Sequence, residues 1–152
     1  MNQALTVRKM NHSDTSYWIQ LWEKYLDFYQ TNLTKEVTNN TLNTLLSGNK
    51  DITCLVVCND HDIPIGFLTY VVHFSTWKIN SVCYLHDLYV ENNYRKTGAA
   101  TLLVNKLKEV GTTEKWERIY WITKPSNKTA RIFYDKIAEG EDWIRYVMPL
   151  NL

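Results

Sequence analysis

The sequence predicts an α+β fold, in which a mixed, mostly antiparallel central sheet of six to seven strands is flanked by about four helices. Apolar residues repeat at helical spacing in four segments, which indicates helices with one buried face. Short apolar or alternating runs indicate strands. The order of these elements indicates an antiparallel meander that leads into a β-α-β unit, whose two strands should run parallel.

The first elements are a strand and two helices. Residues 5–9 alternate and predict a strand. Residues 14–30 predict a helix with Ser13 or Asp14 as its cap, and residues 35–46 predict a second helix. The first helix carries an aromatic face, which we expect to be mostly core and which consists of Trp18, Trp22, Tyr25 and Tyr29.

The central and C-terminal elements follow from the same signals. Residues 52–57 and 65–74 predict an antiparallel hairpin, and residues 81–90 predict the next strand. Further predicted elements are a helix over 99–110 that ends at Gly111, a strand over 117–123, a helix over 127–137 and a strand over 143–148. The stripes that these two helices should bury are Ala99, Leu103, Leu107 and Val110, and Ala130, Phe133, Tyr134 and Ile137.

Composition limits the classes of function. The 152 residues fit one domain, residues 1–152, with 45% hydrophobic and 22% charged residues. A net charge of +1 with scattered basic residues argues against nucleic acid and anionic membranes as partners. No apolar stretch is long enough to span a bilayer, and the N-terminus does not resemble a signal peptide.

The cysteines indicate a reducing compartment. Cys54, Cys58 and Cys83 form no C-x-x-C pattern, and their odd number argues against a disulfide framework and a zinc site. Buried free thiols in the cytoplasm are the expectation.

A glycine loop has the sequence setting of a phosphate site. The strand SVCYLHDLYV leads into the loop ENNYRKTG and then into a helix, whose first N–H groups are unpaired and attract anions. Gly98, Ala99 and Ala100 let oxygen atoms approach the backbone. Arg95 and Lys96 supply positive charge. Neither a G-x-x-x-x-G-K-[ST] nor a G-x-G-x-x-G motif is present, and alone the pattern also fits an ordinary helix start.

Two motifs in order carry a family resemblance. YLHDLYVENNYRKTGAATLL resembles the acetyl-CoA signature of the GNAT superfamily of N-acetyltransferases, and NKTARIFYDKI resembles its second signature, N-x-x-A-x-x-F/L-Y-x-K. The resemblance extends from about residue 5 to residue 150. It departs from the commonest pattern at Ala100, where Gly is usual, and at Lys96 and Thr97, which replace an Arg-Gly pair.

The resemblance implies a GNAT-like fold, acetyl-CoA as the acyl donor and no metal. The pantetheine arm would contact the strand backbone at Leu88, Tyr89 and Val90. Residues that would cradle the pyrophosphate are Arg95, Lys96, Gly98, Ala99 and Ala100. Asn127 would bind near the pantetheine, and Tyr134 would act beside the thioester sulfur as a general acid.

The proton acceptor is predicted at two consecutive residues. Acyl transfer requires the amine to lose its proton, and a histidine is suited to this near neutral pH. Strand alternation should point His86 and Asp87 to opposite faces unless a bulge re-aims one of them. We hypothesise that His86 or Asp87 relays the proton; the alternatives are a structural imidazole and a carboxylate bonded to a strand or loop. In similar enzymes the position of His86 is often Glu.

The acceptor site follows from a narrower resemblance. STWKINSVCYLHDLYV and the Glu141-Asp142-Trp143 stretch resemble the branch of diamine (spermidine/spermine) acetyltransferases and small histone-acetylating relatives. This implies a cleft for a cationic amine, because carboxylates and indole faces attract cations. The residues that would line it are Trp77, Asp87, Glu141, Trp143, Tyr25 and Tyr29. The alternative is that the tryptophans edge the core and Glu141 is a solvated charge.

The function that we expect is an acetyl-CoA-dependent N-acetyltransferase that acts through a ternary complex on a small primary amine, such as a polyamine or a lysine-like compound. The alternatives are a protein or histone lysine as the acceptor, an aminoglycoside, and a non-catalytic acyl-CoA-binding sensor. The resemblance also implies a homodimer or larger homo-oligomer.

Overall fold

The computed structural model of the chain describes residues 4–151. Within this range five strands form one sheet: β1 (Thr6–Lys9), β2 (Ile52–Cys58), β3 (Pro64–His73), β4 (Val82–Val90) and β5 (Ile119–Tyr120). The same residues form four α-helices: α1 (Thr15–Phe28), α2 (Lys35–Leu46), α3 (Ala99–Thr113) and α4 (Lys128–Ile137). The α+β class, the mixed sheet and the four helices are therefore confirmed.

The sheet has the strand order β1-β2-β3-β4-β5. Its first four strands pair antiparallel, as the predicted meander requires. Strand β5 pairs parallel to β4, with Cys83 opposite Ile119, after the chain has crossed over through α3. The β-α-β unit predicted from the sequence is thus present, although β5 has only two residues instead of the predicted seven.

The predicted count of six to seven strands is wrong for the described residues, because residues 143–148 form no strand. Its run of aromatic and apolar residues made this segment resemble a strand. A strand forms only where a partner supplies ladder hydrogen bonds and a face is buried. Here Trp143 is 76% exposed and Tyr146 is 90% exposed.

Both faces of the sheet are covered, and this explains the continuous apolar run in β2. Leu55 and Val57 point into a core cluster with Leu103 and Leu107 of α3. Cys54, Val56 and Cys58 alternate with them and join a second cluster under α1 and α2. Burial of each large side chain contributes about 1.5–3 kcal/mol. Most of the predicted aromatic face of α1 lies in this second cluster, where Trp18 stacks on Trp22 at 5.0 Å between ring centroids. Tyr25 packs against the cluster, whereas Tyr29 is 40% exposed.

Helix α1 begins one residue later than predicted, with Asp14, one of the two predicted residues, at its N-cap position. A 3-10 turn over His12–Asp14 precedes the helix, and neither Ser13 nor Asp14 caps α1 through its side chain. The Asp14 carboxylate is engaged elsewhere, because it accepts hydrogen bonds from Arg8 at 2.8 and 2.9 Å and from the backbone N–H of Asn11 at 2.9 Å. Burial alone would raise the pKa of Asp14, but these hydrogen bonds outweigh it and hold the pKa below its usual value.

The end of α3 also differs, because the helix continues through Gly111 to Thr113. Lys115 adopts a left-handed φ of 60°, and the N–H of Trp116 donates to the carbonyl of Gly111 at 2.9 Å. These features form a Schellman motif that satisfies the last carbonyl groups. Gly111 serves a packing role, since a Cβ there would lie 2.7 Å from Cε3 of Trp116.

The chain divides after Trp121 into two units, which are described separately. The first unit contains the sheet and α1 to α3. The second begins at Ile122 and contains α4, on which Ala130, Phe133 and Tyr134 are half-buried and Ile137 is exposed. A single domain over residues 1–152 stays a prediction. Among residues 4–151, no helix is long and apolar enough to cross a membrane.

Candidate active site

A β-bulge in β4 brings His86 and Asp87 together. Thr69 of β3 pairs with Asp87 and Tyr70 pairs with Leu85, so His86 has no partner residue on β3. Such a bulge re-aims side chains that alternation would send to opposite faces. As a result, Nδ1 of His86 lies 3.2 Å from Oδ1 of Asp87. Asp87 is 6% exposed, whereas 57% of the His86 side chain is exposed.

Helix α1 supplies a third polar group to this site. The Tyr25 hydroxyl donates a hydrogen bond to Oδ1 of Asp87 at 2.7 Å. The Tyr25 ring makes an edge contact with Tyr29 at 5.0 Å between centroids. Burial, and then the negative charge of Asp87, raise the pKa of Tyr29. The structure therefore brings together four predicted site residues, from two elements far apart in the sequence.

The start of α3 fits the binding of an anion. Gly98 occupies the N-cap position with a left-handed φ of 88°, a conformation that favours glycine. No side chain caps the helix there. The first backbone N–H groups of α3 can therefore bind water or a ligand. Lys96 also has a left-handed φ, of 63°. Ala99 is buried against the core, so only its backbone can face a ligand, and Ala100 is half-buried.

Arg95 has a placement that its predicted role did not suggest. Its Nε atom donates to the carbonyl of Val90 at 3.2 Å. Its guanidinium lies 5.5 Å from the ring centroid of Phe28 on α1 and 5.8 Å from that of Tyr89. Arg95 therefore connects the glycine loop to α1 through its cation–π contact with Phe28. Of its strand neighbours, Tyr89 lies in the cluster under α1, whereas Leu88 and Val90 pack in the cluster under α3.

An open cleft of about 590 Å³ lies next to Arg95, between the end of α1 and the end of β4. Its walls include Asp27, Phe28 and Asn92. Lys24 and Glu91, which also line it, form an ion pair that raises the pKa of Lys24. This cleft was not predicted from the sequence. The available signal was the polar spacing of Lys24 and Asp27 on one face of α1.

A row of polar aromatic residues beside His86 was also missed. Tyr84 contacts His86 at 5.3 Å between ring centroids, and Tyr120 of β5 packs on Tyr84 at 5.1 Å. Nε2 of His73 lies 2.7 Å from the Tyr120 hydroxyl, and its Nδ1 lies 2.8 Å from the carbonyl of Phe74. A carbonyl only accepts, so Nδ1 of His73 carries a hydrogen. The alternation of Tyr84 and His86 on β4 was the signal that could have found this row.

The remaining predicted site residues lie elsewhere. Trp77, in the loop between β3 and β4, is 80% exposed. In the second unit, the Asn127 amide donates to the hydroxyl of Thr123 at 3.2 Å, and Tyr134 contacts Phe133 at 5.8 Å between ring centroids. Glu141 and Trp143 are exposed there. The roles of these second-unit residues stay predictions. Over residues 4–151, no three His, Cys, Asp or Glu side chains are grouped to hold a metal ion.

The chain matches a family of known enzymes. The model of the acetyltransferase (GNAT) family matches residues 9–138, which is most of the chain. This range contains the bulge of β4, the glycine loop and α4.

Similar sequences include two acetyltransferases of different named substrates. The D-amino-acid N-acetyltransferase HPA3 of Saccharomyces cerevisiae is 27% identical over 151 residues, which cover 96% of this chain and 91% of that protein. A thialysine N-epsilon-acetyltransferase of Caenorhabditis elegans is 28% identical over 90 residues, which cover 56% of each chain.

Solved structures share the fold. The crystal structure of a probable acetyltransferase superposes with a TM-score of 0.84 at 22% identity and covers 96% of this chain and 98% of that one. An aminoglycoside acetyltransferase from an uncultured soil metagenomic sample, solved in complex with sisomicin, gives a TM-score of 0.81 at 17% identity, with 97% of each chain covered.

Proposed function

This chain belongs to the GNAT family of acetyltransferases, and from that premise we propose that it transfers an acetyl group from acetyl-CoA to the primary amine of a small cationic acceptor, a polyamine or a lysine-like compound. The observation that carries the proposal is the contact between His86 and Asp87 at the bulge of β4. It places a group that can take a proton beside a buried negative charge that can attract a cationic amine.

The cofactor side of the site rests on the start of α3. When bound, acetyl-CoA supplies an acetyl group that is already activated as a thioester. The left-handed Gly98 and the uncapped N–H groups of α3 support a pyrophosphate site there. In the same proposal the backbone of Leu88, Tyr89 and Val90 contacts the pantetheine arm, and Asn127 binds near it.

Proton movement is assigned to two residues. A lysine-like amine has a pKa near ~10.4 in water, so a group of the protein must take its proton before the nitrogen can attack. We assign this step to His86, with Asp87 beside it. Tyr134 is proposed to protonate the departing thiolate, an assignment that comes from the second GNAT motif.

The acceptor is proposed from charge and from the relatives. Asp87, Tyr25 and Tyr29 would receive the amine, with Trp77, Glu141 and Trp143 as further contacts. The similarity to the thialysine N-epsilon-acetyltransferase of Caenorhabditis elegans favours a lysine-like acceptor. The D-amino-acid acetyltransferase, which matches nearly the whole chain, favours the α-amino group of a free amino acid as a second candidate.

Other parts of the proposal concern assembly and location. We propose a homodimer or larger homo-oligomer that acts in the cytoplasm, where Cys54, Cys58 and Cys83 stay reduced; the structure places all three as buried free thiols. Acetylation of a protein lysine and non-catalytic binding of acyl-CoA remain the alternatives.

The test is release of the CoA thiol from acetyl-CoA with a panel of amines. The panel contains spermidine, spermine, putrescine, lysine and thialysine, D- and L-amino acids, an aminoglycoside and a histone-tail peptide. Turnover is expected with a polyamine or a lysine-like compound. Turnover with D-amino acids alone would select the second candidate. Tight binding of acetyl-CoA without turnover across the panel would favour the sensor.

A further inference from the structure

We propose that Tyr25 is a positioning residue for proton transfer: its hydroxyl fixes the Asp87 carboxylate, which in turn holds His86 in the tautomer whose Nε2 atom takes the proton of the acceptor amine. The inference rests on the proposed function. In addition to that function, Nε2 of His86 is assigned as the atom that receives the proton, and Tyr25 as the residue that orients the ring through Asp87.

The tautomer follows from the contact between His86 and Asp87. A carboxylate oxygen only accepts hydrogen bonds, so Nδ1 of His86, at 3.2 Å from Oδ1, must carry a hydrogen. In the neutral ring the lone pair then resides on Nε2. More than half of the side chain is exposed, so the ring is reachable by a soluble amine. In the proposed step the amine nitrogen keeps the electron pair of its N–H bond. Nε2 gains the proton, and the imidazolium later releases it to water.

Tyr25 is the group that holds the carboxylate. Its hydroxyl donates at 2.7 Å to the same Oδ1 atom that faces His86. Asp87 is nearly buried, so loss of this donor would not be fully compensated by water. The Tyr25 ring is itself fixed by aromatic neighbours, at 5.4 Å from Trp22 and 5.7 Å from Phe67 between centroids. The packing of the ring against the second core cluster therefore fixes the position of the hydroxyl beside Asp87.

Among the described residues, titratable groups that interact with this pair lie on α1, β2 and β4. From α1 they include Tyr25 and Tyr29, and from β4 Tyr84, whose ring edge contacts His86. On β2, burial and, to a smaller extent, the charge of Asp87 raise the pKa of the Cys54 thiol. On β3, Thr69 lies opposite Asp87 and carries no charge, and Tyr70 lies in the cluster on the other face of the sheet. Asp87 supplies the negative charge, and the Tyr25 hydroxyl partly compensates it. Removal of that hydroxyl should therefore favour the imidazolium.

The experiment is nitrogen NMR of the full chain labelled with ¹⁵N-histidine. The chain has four histidines, and the His86 signals are those that disappear in His86→Gln. In the parent protein, neutral His86 should carry its hydrogen on Nδ1 and none on Nε2. In Tyr25→Phe, which keeps the aromatic ring, the pKa of His86 should rise by up to about one unit, the scale of one hydrogen bond. Tyr17→Phe, at an exposed position of the same helix, is the matched control and should leave His86 unchanged.

Each result decides the inference. A parent protein with a protonated Nε2 overturns it, whether or not Tyr25→Phe folds. His86 signals that are the same in the parent and in Tyr25→Phe overturn it while leaving acetyl transfer, and so the proposed function, intact. If the pKa of His86 shifts, the acidic limb of the kcat/KM profile must shift with it. An unmoved profile overturns the role of His86 as proton acceptor. A parent that turns over no amine removes the proposed function itself.

Discussion

Nδ1 of His86 lies 3.2 Å from Oδ1 of Asp87, although the two residues are consecutive on one strand. In a regular strand they would point to opposite faces. The extra residue in β4, opposite Thr69 and Tyr70, removes that constraint. One exposed ring and one buried carboxylate then form a pair in which the carboxylate orients the ring.

The first prediction concerns His86. His86→Gln keeps a side-chain N–H that can bond to Asp87 but removes the basic nitrogen. We expect kcat/KM at neutral pH to fall by about 10²–10⁴-fold, the usual contribution of a general base. The measurement is acetyl transfer across a pH series. His61→Gln, on an exposed turn, is the control and should keep the activity of the parent. A His86→Gln enzyme with parental turnover would remove His86 from the chemistry.

The second prediction separates ligand binding from backbone strain at Gly98. Gly98 and Gly48 have left-handed φ values of 88° and 79°, and an added Cβ would meet nothing within 4 Å at either position. Alanine at either site should therefore cost about 1–2 kcal/mol of unfolding free energy through strain alone. Only Gly98→Ala should also weaken the binding of acetyl-CoA, which calorimetry can measure. Equal affinities in the two variants would place the pyrophosphate elsewhere.

Much of the scaffold could be predicted from sequence, because short-range signals fix it. Helix α2 was predicted with the bounds observed, and Thr34 caps it by accepting from the N–H of Val37. The aromatic face of α1 and the buried stripe of α3 from Ala99 to Leu107 follow from helical spacing alone. The predicted ends of α3 and β5 were less accurate, because they depend on a Schellman turn and on pairing with β4.

The sequence predicted which residues belong to the candidate site, but not how their side chains contact one another. The contact between Tyr25 and Asp87 spans 62 positions in the sequence, and the bulge depends on how β4 pairs with β3. Neither leaves a periodic signal. The prediction of a strand over 143–148 was wrong for a related reason, since a run of aromatic and apolar residues shows that a segment could pair but not that a partner is present.

A third prediction concerns stability in acid. The pKa of Asp14 is held below its usual value, so its contribution is complete above the unfolded pKa, about 3.9, and is lost as the pH falls through the folded pKa. Asp14→Asn should cost about 2–3 kcal/mol at pH 7, because Arg8 loses its ion pair with a buried carboxylate and keeps only the one with the exposed Asp62. Its unfolding free energy should also depend less on pH below 4. Urea unfolding at several pH values tests this. Asp60→Asn, at an exposed turn, should behave as the parent.

The fourth prediction concerns assembly. Large apolar side chains are exposed near the C-terminus in the second unit, and they are Trp143, Ile144, Tyr146, Val147, Met148 and Leu150. Contiguous exposed apolar residues commonly mark an interaction surface. Light scattering after size-exclusion chromatography should give at least twice the mass of 18.0 kDa. The double variant Tyr146→Ser, Met148→Ser should shift the protein towards the monomer. A parental monomer at micromolar concentration would contradict the proposed homodimer.

The fifth prediction concerns the contact between Arg95 and Phe28. If Arg95 fastens the glycine loop to α1, removal of the ring should act like removal of the charge. Phe28→Leu should weaken acetyl-CoA binding severalfold, because a cation–π contact at a partly exposed site contributes about 0.5–1 kcal/mol. Arg95→Gln should weaken binding at least as much, and the double variant should add little to Arg95→Gln. Phe74→Leu, at an exposed ring beyond β3, is the control and should bind as the parent does. Fully additive effects would instead assign Arg95 to the phosphates directly, with Phe28 acting independently.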